Sequence, residues 1–269
     1  MRNFKNMDEA QYKEYMKHYN AAVNAFASIA EYAGKIDNEK LKCRQECAKL
    51  DADNTISESY RAKRTQEVRD NALKSLESYW AGVEPLFSTF ADELDAITEH
   101  IDLNDTRLTA AVTLINAAGV YRGDAGAMPS GSVQRALIEP FNGNPEALTM
   151  LRGLADSNGL AGAVTEIDNK LETINKALSF PGFVAQHMRE ATLSVDGEFV
   201  QINTSPYVDA VCKAYGFTRP ELPEELVIAA TRKAMGLSAN PHDFTSNWHT
   251  HTAECGVYID MNTGEAKTV

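Results

Sequence analysis

Four side chains able to hold a metal fall within fourteen residues near the C-terminus: His242, His249, His251 and Cys255. Imidazole and thiolate suit zinc, and on an extended segment the period-two alternation turns His249 and His251 to the same side. A metal-dependent enzyme is the function this set would imply. Its spacing matches no standard structural-zinc pattern, and Asn247, Trp248 and Thr250 suit an ordinary polar loop equally well. A second pair, Cys43 and Cys47, is spaced so that both sulfurs share one helix face. The same positions continue an apolar seam, where a free cysteine acts as a small buried hydrophobe, so packing is their expected role.

Oxygen side chains alternate along Asp51, Asp53, Thr55 and Ser57 as in a calcium loop. Ile56 and Ala62 stand where an EF-hand needs Gly and Glu, and a helix cap is expected instead. The Gly-rich stretch 119–132 would offer backbone N–H groups to an anion, with Arg122 and Arg135 as cationic partners, but it lacks the Gly-Lys-Ser/Thr ending of a P-loop. No Gly-x-Ser-x-Gly elbow occurs, and no cysteine has a readable His partner, so no catalytic residue is expected. Asp92, Glu93 and Asp95 read as a solvated helix face.

The elements that carry these residues are mostly helical. Tyr12, Tyr15, Tyr19, Ala22, Phe26, Ile29, Ala33 and Ile36 alternate at steps of three and four, and after Lys40 the series resumes at Cys43, Cys47 and Leu50. This heptad seam predicts a helix roughly 60 Å long. Polar turn-formers follow at Asp51–Ile56, Ser57 is the expected N-cap, and Tyr60, Val68, Ala72, Leu76, Tyr79 and Val83 give a second apolar face. Two such helices joined by a short turn fold back as an antiparallel hairpin. The expected interaction seam comprises Tyr12, Tyr15, Tyr19, Phe26, Ile29, Ile36, Val68 and Leu76.

Pro85 then predicts the start of another helix, Asn104-Asp105 caps the next, and Gly119 closes it. Shorter helices are expected over 133–138, over 145–154 with Asn144 as cap, and over 161–178. Asp196-Gly197, between Thr192–Val195 and Glu198–Ile202, has a type I′ hairpin signature. Ser205-Pro206 and Pro223 each predict a helix start, the two ending near Gly216 and Gly236. Residues 256–260 and 265–269 read as a second small hairpin. The expected fold is mainly α, with a long coiled-coil-like N-terminal hairpin and a small antiparallel β element near the C-terminus. It divides into a helical-hairpin and helical region (1–118), a Gly-rich connector (119–132) and a helical body (133–269).

The sequence Leu50-Asp-Ala-Asp-Asn-Thr-Ile-Ser57-Glu-Ser-Tyr60-Arg-Ala-Lys63, linking two long helices, resembles elbows in structural-module proteins of tailed bacteriophages and prophages. The resemblance covers about a quarter of the chain. It implies a virion, capsid-assembly or head–tail component that acts by oligomerisation, with no catalytic residue to carry over.

Composition narrows the partners. Lys and Arg number 26 against 38 Asp and Glu, and the net charge of −12 repels nucleic-acid phosphates and anionic lipid. The 269 residues, 43% hydrophobic and 24% charged, suit one large or two modest globular domains. No apolar run is long enough to span a membrane, and the N-terminus lacks the apolar stretch of a signal peptide, so synthesis in a bacterial cytosol without export is expected, with incorporation into a virion if the resemblance holds. The first expectation is therefore a non-enzymatic assembly protein that contacts itself or other virion or host proteins without a cofactor. An anti-defence inhibitor that sequesters a nucleotide signal or binds a host protein is the second, and the zinc enzyme the third.

Overall fold

The computed structural model describes residues 7–121, 131–221, 257–259 and 266–268, and it is mainly helical. Among the described residues seven α-helices run in chain order: α1 (Glu9–Ala52), α2 (Glu58–Ile97), α3 (Thr106–Tyr121), α4 (Gly131–Ile138), α5 (Pro145–Ser157), α6 (Ala161–Thr192) and α7 (Val200–Tyr215). A 3₁₀ turn at Glu139–Phe141 follows α4. The extended backbone among the described residues is a pair of three-residue antiparallel strands, β1 (Val257–Ile259) and β2 (Ala266–Thr268), with Tyr258 opposite Lys267. The rest of the expected C-terminal β element, and the helix expected from Pro223, lie outside the described residues.

Local chemistry sets most helix starts. At α1, the Asp8 carboxylate accepts from the Gln11 N–H at 2.8 Å while the Gln11 side chain accepts from the Asp8 N–H at 3.2 Å, a reciprocal capping box. Asp105 caps α3 through the Arg107 N–H at 2.8 Å. The Asn144 side chain accepts from the Ala147 N–H at 2.9 Å, with Pro145 as the first residue of α5. Gly159 and Gly216 take the left-handed conformation, φ 67° and 73°, just beyond α5 and α7, where a side chain would be strained.

Three prolines correct the expected boundaries. Pro85 and Pro206 lie inside α2 and α7 rather than at helix starts, and α6 runs through Pro181 to Thr192 instead of ending near residue 178. Each forfeits one backbone hydrogen bond, and the apolar faces that continue across them outweigh that loss: Val83, Phe87 and Phe90 around Pro85, and Phe180 and Val184 around Pro181, are buried. Gly119 likewise fails to close α3, which continues to Tyr121. The Asp196-Gly197 hairpin is replaced by a turn between α6 and α7, because Val195, Phe199 and Val200 are buried as helix-flanking side chains instead of alternating along strands.

The chain divides into two compact units, each assembled from separated stretches. The first comprises Met1–Ile29, Val83–His187 and Thr204–Pro220. In it, Phe26 packs on Phe90, Phe180 and Phe217 with ring centroids 5.8, 5.6 and 5.6 Å away. Gly216 turns the chain so that Phe217 joins this cluster. A neighbouring core gathers Leu108 and Ile115 of α3, Leu148 and Leu151 of α5, and Ile167 of α6. The second unit comprises Ala30–Gly82, Met188–Asn203 and Glu221–Val269. Within it the later part of α1 runs antiparallel to the earlier part of α2, with Tyr32 against Gly82 near one end and Cys47 near Arg69 toward the other.

Candidate interaction surface

The hairpin turn is built from short polar side chains that hold their own backbone. The Asp53 carboxylate accepts from the Thr55 N–H at 2.8 Å and its hydroxyl at 2.5 Å, bonds that hold the carboxyl below the usual carboxylate range. Ser57 accepts from the Tyr60 N–H at 3.3 Å as the N-cap of α2, and the Arg61 guanidinium donates to the Asp53 carbonyl at 2.7 Å. The expected helix-capping role of this segment is what its geometry performs.

Burial sorts the expected seam. Phe26, Ile29, Ile36 and Leu76 are buried, Tyr15, Tyr19 and Val68 are half-buried, and Tyr12 is 45% exposed. Tyr60, placed on the apolar face of α2 by its spacing, is 52% exposed. Both tyrosines lie on the first turn of their helices. For Phe26 the seam is filled by phenyl rings of the same chain. Cys43 is buried as expected of a packing residue, and burial, with Cys47 beside it, pushes its thiol up to about 12.

From residue 44 to residue 71 no side chain is buried. These 28 positions form the turn end of the hairpin, two paired helices in which Leu50, Ile56 and Val68 are half-buried and which, among the described residues, the turn 193–199 touches at Arg44 and Arg69. Six basic residues (Arg44, Lys49, Arg61, Lys63, Arg64 and Arg69) balance six acidic ones (Glu46, Asp51, Asp53, Glu58, Glu67 and Asp70). The hairpin end is thus neutral in a chain carrying −12.

Where the hairpin becomes buried again, α1 presents three charged residues, Asp37, Lys40 and Arg44, to the turn 193–199. Asp37 and Lys40 are both 0% exposed. The two Asp37 oxygens accept the first N–H groups of α7, from Val200 at 2.8 Å and Gln201 at 3.0 Å. The Lys40 ammonium donates to the Glu198 carbonyl at 2.9 Å, and Arg44 donates to the carbonyls of Val195, at 3.3 Å, and Gly197 while lying over the Phe199 ring. From α2, Arg69 pairs with Asp196 at 2.9 Å. Sequence reasoning passed over this clamp, although one signal marks it: Lys40 stands four residues after Ile36 and three before Cys43, at the one seam position that is neither apolar nor small.

The remaining candidates are not brought together by the described structure. His242, His249, His251, Cys255 and Arg122 lie outside the described residues. Arg135 is exposed on α4. Among the described residues no group of three or more His, Cys, Asp or Glu side chains is placed to hold a metal ion, and no helix is long and apolar enough to cross a membrane. No family model, curated protein or solved structure matches the chain.

Proposed function

We propose that this protein is a non-enzymatic structural or assembly component, of the virion or capsid-associated kind implied by the resemblance of its hairpin turn, and that it acts by contacts at the hairpin end. The observation that carries the reading is the stretch 44–71, two helices long enough to need covering and without a buried side chain. Helical stability in proteins comes chiefly from packing an apolar face, and a two-helix end without a buried side chain is the part with most to gain from a further layer. The first partner is a second copy of the chain. Between copies the acidic body repels, whereas the neutral end, with both charge signs interspersed, can approach its equivalent and pair. The nucleotide-sequestering alternative has only the exposed Arg135 in its favour among the described residues.

Native mass spectrometry of the full chain tests this. A discrete oligomer is expected, and Tyr60→Asp, which places a charge on an already exposed position, should dissociate it while leaving the circular dichroism spectrum unchanged. A monomer at every concentration, or an oligomer indifferent to Tyr60→Asp, would remove the hairpin end as the contact.

A further inference from the structure

We propose that the groove between α6 and α7 is a binding site for a small carboxylate that also carries a hydrogen-bond donor and a hydrocarbon part, the chemistry of an N-acyl amino acid.

The groove lies wholly within the first compact unit. Its volume is about 780 Å³, inside the roughly 300–1,000 Å³ of small-molecule sites. Its apolar surface comes from Ile174 of α6, with Ala210 and Ala214 one turn apart on α7. Ile174 and Ala210 are buried and Ala214 is half-buried, so a hydrocarbon group seated there leaves water.

The charged groups leave one cation over. Glu166 pairs with Lys170 at 3.2 Å, Glu172 with Lys176 at 2.6 Å, and Asp209 with Arg219. Each acid lining the groove is thus matched by a base. Lys213 of α7 is the one lining base with no salt bridge or hydrogen bond among the described residues. Its charge reaches Glu172, but that carboxylate is already bonded to Lys176. One uncommitted ammonium suits a monoanion such as a carboxylate. The second charge of a phosphate would meet Glu166, Glu172 and Asp209 with no free cation to balance it.

The donor follows from Asn142. This residue also lines the groove, and its Oδ1 is buried without a hydrogen-bond partner. A buried acceptor left unmet is costly, and a ligand N–H met by rotation of the Asn142 amide relieves it. On α6 the Asn169 amide lines the same groove, is uncommitted among the described residues, and can donate to an acyl oxygen.

Amide nuclear magnetic resonance spectra of the full chain, titrated with N-acetylleucine, N-acetylleucinamide and isocaproate, test the site. The second probe lacks the carboxylate and the third lacks the N–H. Saturable shifts confined to residues 142, 166–176 and 206–214 are expected with N-acetylleucine in the millimolar range, and about fivefold weaker binding of each of the others. Lys213→Ala, at an exposed position, should lower the affinity for N-acetylleucine to that for its amide and leave the amide's unchanged. Asn142→Ala should erase the preference over isocaproate while thermal stability holds or rises, because an unmet acceptor has been removed. The peptide N-acetyl-Ala-Ala-Ala-Leu separates two sources of this chemistry: tighter binding than N-acetylleucine identifies a peptide C-terminus as the ligand, and equal or weaker binding a free acyl amino acid. Absence of saturable shifts in the groove, equal binding of the first three probes, or a Lys213→Ala protein that still prefers the carboxylate would overturn the proposal.

Discussion

Replacing Phe26 by Ala tests whether the heptad seam of α1 closes within the chain. The ring is 2% exposed and packs on Phe90, Phe180 and Phe217, which come from α2, α6 and the segment after α7. Truncating a buried Phe to Ala costs about 3–5 kcal/mol, and three ring partners lost together place this site toward the upper end, near 4–5. That is a large part of the roughly 5–15 kcal/mol of a whole domain. Urea unfolding followed by far-UV circular dichroism, at dilute and at concentrated protein, measures both the loss and its origin. An intrachain cluster lowers the midpoint by the same amount at both concentrations. A seam shared between subunits would instead make the midpoint rise with concentration in the wild type and lose that dependence in the variant, since association stabilises by mass action. A loss below about 1 kcal/mol, or one that follows concentration in this way, would refute the intrachain cluster.

Two further outcomes follow from named contacts. A Cβ added at Gly82 would sit 2.5 Å from the Tyr32 hydroxyl and 2.9 Å from its ring carbon, so Gly82→Ala should destabilise even though Ala is the better helix former by about 1 kcal/mol. In a Tyr32→Ala background the sign should invert, and equal effects in both backgrounds would show that no such contact limits the site. Bonds with the Arg107 side chain and backbone hold the Asp105 carboxyl below the usual carboxylate range. Its contribution is complete at neutral pH and is lost as acid protonates it, so unfolding curves between pH 6 and pH 3 should show a fall in stability that shrinks in Asp105→Asn.

Much of the helical plan is legible because its signals are local and repeated. The three-four spacing from Tyr12 to Leu50, the turn Asp53–Ser57 and the Asn144-Pro145 start each act within a few residues, and each lies where the spacing puts it. Prolines mislead because the same residue opens a helix at low cost and interrupts one at higher cost. Only the packing of the flanking turn, supplied by distant chain, decides between the two. Asp196-Gly197 misleads for a related reason. The dipeptide does specify a turn, but the elements on either side are set by what Val195, Phe199 and Val200 bury against. An apolar run of that length suits a strand or a helix end equally.

The clamp was hidden by a different cause: its partners are backbone groups. Asp37, Lys40 and Arg44 satisfy N–H and carbonyl groups that any sequence would present at 195–201, so no complementary side chain announces them. What the sequence does carry is a position out of pattern. A lysine where the seam requires an apolar residue must be exposed, or paired with acceptors that repay its burial. Its full burial here selects the second, and the acceptor is the Glu198 carbonyl, far along the chain. A polar residue in a seam position thus fixes which turn can dock there. In the observed register Lys40 meets that carbonyl at 2.9 Å. The residue that weakens the heptad as a generic coiled coil is the one that ties α1 to the turn before α7.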